Sequence, residues 1–154
     1  MSSVEIMFVG ISNKSDAMGE MQPLDKTTPT GKIIHQIELK LGRECIKTNL
    51  VQFTPTDECG KIRYPNSSEI KTGLLECLRL IQSNAPCIVF LLGKLVQKSF
   101  FDNLKPKKLS DDLYQLEENI YLIPAYHPSY IHTYRRSQTD NYVDGIVNAV
   151  NKLI

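Results

Sequence analysis

Four short apolar runs, separated by stretches of helical periodicity, limit what this chain can fold into more than any other feature. They are Val4-Glu5-Ile6-Met7-Phe8-Val9, the stretch from Cys45 to Val51, Cys87-Ile88-Val89-Phe90-Leu91-Leu92, and Ile120-Tyr121-Leu122-Ile123-Pro124. A strand that is apolar on both sides must be covered on both faces, the condition of parallel strands inside an α/β layer. Between the runs the spacing turns helical. Thr30 reads as the N-cap of a helix that buries Ile33, Ile34, Ile37 and Leu41, with Gly42 as its stop. Asn66 and Glu69 predict a capping box for a second helix, with Ile70, Leu74, Leu78 and Ile81 as its buried stripe and Pro86 beyond its end. A short helix over 94–101, a charged stretch to Asp112, a short extra strand over 113–116 and a closing helix over 139–153 complete the order. Such alternation predicts an α/β fold: a three-layer α/β/α sandwich around a central, mainly parallel four-stranded sheet. The whole chain, 1–154, reads as a single domain without internal repeats.

Charge and cysteines narrow the function classes. Eighteen basic and seventeen acidic side chains leave a net charge of +1, so only local clusters, Lys105-Lys107-Lys108 and Arg135-Arg136, can favour a polyanion. No apolar stretch approaches the roughly 18 residues of a membrane span, and the first residues lack the pattern of a signal peptide. The expected location is the cytoplasm, nucleoid-associated in a prokaryote or nuclear in a eukaryote. Cys45, Cys59, Cys77 and Cys87 form no C-x-x-C pair and stand far from the histidines. They read as reduced thiols, with no metal and no cofactor expected.

Ligands of open α/β sheets bind outside the carboxyl ends of the strands. Gly10, Ser12, Asn13, Lys14 and Asp16 follow the first run. Thr48, Asn49 and Gln52 close the second, Gly93 and Lys94 follow the third, and Tyr126, His127 and Ser129 follow the last. Taken singly, each has a plainer account as a cap or turn residue. Together they are amides, hydroxyls and one imidazole on one rim, with almost no carboxylate, a set suited to reading a neutral polar heterocycle by hydrogen bonds. There is no G-x-G-x-x-G, no P-loop spacing around Thr30-Gly31-Lys32 and no G-x-S-x-G.

The ordered pieces resemble the uracil-DNA glycosylase superfamily. Phe8-Val9-Gly10-Ile11-Ser12-Asn13 sits where that family has its first motif. Pro23-Leu24 followed by Thr30-Gly31-Lys32 is similar to the stretch whose large apolar residue packs on the flipped base. Thr48-Asn49-Leu50-Val51 resembles the strand whose asparagine reads uracil. Ile88 to Lys94 resembles the apolar strand ending in L-G-K/R, and His127-Pro128-Ser129, extended by Tyr134-Arg135, resembles the second motif. The resemblance implies excision of uracil or a related deaminated base from DNA by a monofunctional hydrolytic route, in a monomer with DNA as partner. On this basis His127 stabilises the leaving base and Gly10, Ser12, Leu24 and Asn49 bind it. Tyr130 and Ile131 enter the space the base vacates, and Ser129, Arg135 and Arg136 meet phosphates.

Some positions depart from the family pattern. The first motif usually carries Asp or Asn in the third place counted from the glycine, or Glu in the second; those places hold Ser12 and Ile11, and Asn13 falls one later. Asn13 and Asp16 are therefore the candidates for holding the attacking water, with Asn13 preferred. Leu24 stands where many members have an aromatic ring. Phe53 and Gly73 occupy places where one branch has iron–sulfur ligands, so no cluster is expected. Two other readings remain. One is a catalytically weak or inactive nucleic-acid or nucleobase-binding homologue, favoured by the irregular first motif. The other is a small-molecule-binding α/β module.

Overall fold

A computed structural model describes residues 4–16 and 19–154, with the side chains of residues 15, 16 and 20 outside the description. The apolar runs form strands β1 (Glu5–Ser12), β4 (Ile46–Val51), β5 (Cys87–Leu92) and β8 (Ile120–Ala125). A two-stranded ribbon, β2 (Ser15–Asp16) with β3 (Gly19–Glu20), follows β1. The helices are α1 (Pro29–Leu41), α2 (Ser67–Ser83), α3 (Lys94–Leu104), α4 (Pro128–Tyr134) and α5 (Thr139–Leu153), with one 3-10 turn at Arg136–Gln138. Two further strands, β6 (Lys107–Ser110) and β7 (Leu113–Glu117), form a hairpin.

The sheet runs in the order β4-β1-β5-β8-β7-β6. The first four strands are mutually parallel and the last two antiparallel. This corrects the four-strand expectation to six: the hairpin of 107–117 extends the sheet beyond its parallel core. Pro124 is accommodated because β7 pairs only with Ile120 to Leu122; it lies where one edge of β8 is open, the place a strand tolerates proline.

Alternation along each strand divides the core between two faces. Ile6, Phe8, Ile88 and Phe90 pack with Ile34 and Ile37 of α1 and with Ile146 and Val150 of α5. Met7, Val9, Val89 and Leu91 pack with Leu74 and Ile81 of α2 and with Phe100 of α3. The Phe8 and Phe90 rings stack across neighbouring strands, 5.1 Å apart. A three-layer sandwich results. Among the described residues no helix is long and apolar enough to cross a membrane.

Local chemistry explains the helix boundaries. The Asn66–Glu69 capping box forms, and Cys77 rather than Leu78 joins Leu74 and Ile81 in the buried stripe of α2. Helix α1 begins earlier than expected. Thr28 is its N-cap, accepting from the Gly31 N–H at 3.0 Å, because Pro29 fits the first helical position, where no donor is needed. Thr30 is instead buried inside the first turn. Helix α3 runs on to Leu104, where Lys105 turns left-handed. The segment after His127, expected as a loop, is α4.

Candidate functional site at the carboxyl edge

Registration of β1 with β4 brings Gly10 level with Asn49. The absence of a side chain at Gly10 makes the arrangement possible: a Cβ there would collide with Asn49 Oδ1, and Leu24 Cδ2 lies just beyond. Asn49 is 2% exposed. Its Nδ2 donates to Asn13 Oδ1 at 2.7 Å, and Asn13 Nδ2 donates in turn to the Gln52 carbonyl at 2.8 Å. The second carbonyl tie fixes which way the Asn13 amide faces, and Asn13 then fixes Asn49. Asn49 keeps one N–H and its carbonyl oxygen for a ligand.

His127 follows β8, which β5 separates from β1, and caps α4. The Ser129 backbone N–H donates to His127 Nδ1 at 3.1 Å, with the Ser129 hydroxyl 2.8 Å from the same nitrogen. A backbone N–H can only donate, so Nδ1 is the acceptor and the ring proton sits on Nε2. Burial, reinforced by the positive charge of Lys14, pushes the imidazole down from 6.5 to about 4. The ring is therefore neutral at physiological pH and offers one N–H. Gly93, at φ 91, takes a turn that L side chains rarely adopt, which places it next to His127; a Cβ there would meet His127 Cβ at an ordinary contact distance of 3.5 Å, so backbone conformation and not space calls for glycine.

The Pro23–Thr28 segment closes the other side. Leu24 holds φ 52, a left-handed conformation that costs a leucine roughly 1–2 kcal/mol. The surroundings hold it there. Asp25 Oδ1 accepts from the N–H and hydroxyl of Thr27, both at 2.8 Å, and the Asp25 carbonyl accepts from the Thr28 hydroxyl at 2.7 Å. Those Thr27 bonds keep the Asp25 carboxyl below its usual value. Gly31 of α1 makes room, for a Cβ there would overlap the Asp25 and Leu24 carbonyls.

Two cavities meet at these groups. A small one of about 30 Å³ lies between Ser12, Lys14, Leu24, Asn49 and His127; it is water-sized, not base-sized. An open groove of about 490 Å³ shares Ser12, Lys14 and His127 and continues along Ile62, Arg63 and Tyr64. Sequence reasoning did not single out Met21, Gln22, Ile62, Arg63 or Tyr64. They come from irregular segments that carry no period, and only the fold brings them to the strand ends.

The remaining expected residues divide. Ser129 is tied to His127. Arg135 and Arg136 are exposed, and Tyr130 stacks on Tyr126 at 5.1 Å and meets the tilted ring of Tyr134 at 5.5 Å. Ile131 is 4% exposed and faces inward, so it has no reach toward a nucleic acid, contrary to the wedge role expected of it. The Asp16 side chain lies outside the described residues. Among the described residues no three metal-ligating side chains gather.

The model of one protein family, the uracil DNA glycosylase superfamily, matches residues 2–151 of the 154. A search of curated proteins finds no significant match.

Proposed function

We propose, for a chain that belongs to the uracil DNA glycosylase superfamily, that it is a monofunctional DNA glycosylase. It would hydrolyse the N-glycosidic bond of uracil or a related deaminated base in DNA, as a first step of base excision. One observation carries the reading: a neutral His127, its Nδ1 engaged by Ser129, lines the same small cavity as the fixed amide of Asn49.

An unpaired base must first leave its stack to be read. Asn49 accepts from the base N3–H with Oδ1 and donates its free N–H to the neighbouring carbonyl oxygen, matching the alternating edge of uracil. Leu24 lies over Gly10 and packs on the ring. As the C1′–N1 bond breaks, its electron pair stays with the base and positive charge grows on the sugar. The His127 Nε2–H donates to the base oxygen that takes up the charge, an interaction stronger in the transition state than before it. Lys14 adds a positive charge at the same cavity. Water adds its oxygen to C1′ and gives up a proton, and the base anion is protonated after departure. Ser12, which lines both cavities, would orient that water, and Asn13 would hold it only by giving up one of its two amide bonds. Asn13 already serves as a positioning residue for Asn49, and Asp16 remains the alternative base. Arg135 and Arg136 meet phosphates.

The test is incubation with uracil-containing oligonucleotides, followed by a search for alkali-labile abasic sites. A second reading, a binding homologue with little or no activity, is favoured by the commitment of both ends of the Asn13 amide and by the water-sized inner cavity. DNA binding without cleavage of any deaminated base would select it.

A further inference from the structure

Beside the site stands a feature that base recognition does not use. Tyr126, just before α4, and Tyr130 and Tyr134 on it form a ladder, with ring centroids 5.1 and 5.5 Å apart; the first pair is stacked at 24° and the second tilted at 44°. The ladder is exposed: Tyr126 is 63% and Tyr134 73% accessible. Three large aromatic rings facing water carry a solvation cost that a core position would remove, and no packing need of the domain accounts for them. A cleft of about 340 Å³ runs beside the ladder, lined by Tyr126, Tyr130, Arg135 and Asn141. Arg135 and Arg136 follow directly. Exposed rings flanked by arginines are the elements of a surface for single strands, in which bases stack and cations follow the backbone.

The same helix argues against a duplex. An enzyme that opens a base pair fills the vacated space with a side chain. On α4, Ile131 is turned into the core and Tyr130 is held between its two neighbours. Tyr126 directly precedes His127, so the ladder begins one residue from the site.

We propose that the two exposed ends of the ladder, Tyr126 and Tyr134, with Tyr130 holding them in line, stack the unpaired bases flanking the target nucleotide, and that single-stranded DNA is the substrate. The target-base part of this rests on the glycosylase reading; the binding part does not. The chain has seven tyrosines and no tryptophan, so stacking is read directly as quenching of tyrosine emission, with fluorescence anisotropy of labelled DNA beside it. The probe is a uracil-free oligonucleotide, single-stranded or annealed to its complement. The unaltered protein should bind the single strand at least about tenfold more tightly, and Tyr134→Ala should weaken that binding by roughly 5- to 100-fold, the scale of one lost stacking ring. Tyr134→Phe should bind as the unaltered protein does, and duplex affinity should not move. Equal or tighter duplex binding, or no loss in Tyr134→Ala, overturns the proposal. Excision from duplex at least as fast as from single strands overturns it too, while leaving the glycosylase reading intact. Ladder-dependent binding without any excision would instead sink the glycosylase reading alone.

Discussion

At the level of single residues the site depends on two fixed orientations. The Ser129 N–H sets the His127 tautomer, and the Gln52 carbonyl, acting through Asn13, sets the face of Asn49. His127→Ala should slow excision by roughly 10²–10³-fold, the scale of one lost preorganised donor, while DNA affinity stays the same; single-turnover cleavage and a binding titration separate the two. The pH dependence has a definite sign. A ring held at about 4 is already neutral at pH 5, so its contribution should stay constant from pH 5 to 8 and fail only as pH drops through about 4. The folded state binds this proton more weakly than the unfolded chain, whose value is near 6.5, so protonation of the unfolded state erodes stability as pH falls from about 6.5 toward 4. A rate that climbs through a pKa near 6.5 would show that the ring is not held neutral. Asn49→Asp places a carboxylate against Asn13 Oδ1, acceptor facing acceptor. Uracil excision should drop at least roughly tenfold, and the new anion should favour cytosine, whose edge presents an amino donor. Unchanged base preference in competition assays would move recognition to another group.

Among the elements, what was legible in the sequence follows from burial. The parallel strands could be read because both of their faces are covered, and Asn66 could be read as a cap because its Glu69 partner follows at the required spacing. Strand β6 could not, since all four of its residues are exposed and pairing with β7, not pattern, makes it a strand. Thr28 and Thr30 both fit an N-cap, and only the placement of Pro29 decides between them. That Gly10, Asn49 and His127 would meet on one edge was legible because each stands at the carboxyl end of a parallel strand, whatever the details of the loops. Residues 21–28 and 62–65 were not, because tertiary path rather than local period delivers them. The junction of α1 with the Leu24 segment yields an element-scale prediction. Gly31→Ala drives a Cβ into backbone carbonyls, which no side-chain rotation can relieve. Stability should fall by roughly 1–3 kcal/mol, each kcal/mol lowering the melting temperature by about 2–4 °C for a domain of this size. Leu24 would shift from its place over Gly10, so excision should fall by more than the folded fraction does. A thermal melt and an activity assay on the same sample check both, and a stable variant with full activity would show that the Leu24 segment is not held by α1.

For the molecule as a whole, a net charge of +1 gives no long-range attraction to a polyanion, so affinity must come from a few cations near the rim and from stacking. Ion pairs among the described residues engage Lys40, Arg43, Lys47, Arg63, Lys98 and Lys108, each held by a carboxylate of its own. Lys14, Lys94, Arg135 and Arg136 are in none of these pairs and stand around the strand ends or on the α4 side. Each phosphate neutralised on a single strand contributes about −0.7 to the slope of log K against log salt. With four such cations the slope should be about −3 or shallower. Stacking adds affinity without adding to the slope, because no counterion leaves when a base meets a ring. Tyr134→Ala should therefore lower affinity at every salt concentration and leave the slope unchanged, whereas Arg135→Gln should make the slope shallower by about 0.7. Titrations at several potassium chloride concentrations measure both. A slope much steeper than −3 would mean that a broader basic surface carries the nucleic acid, and a slope change in Tyr134→Ala would mean that the ladder acts through the arginines instead of through the bases.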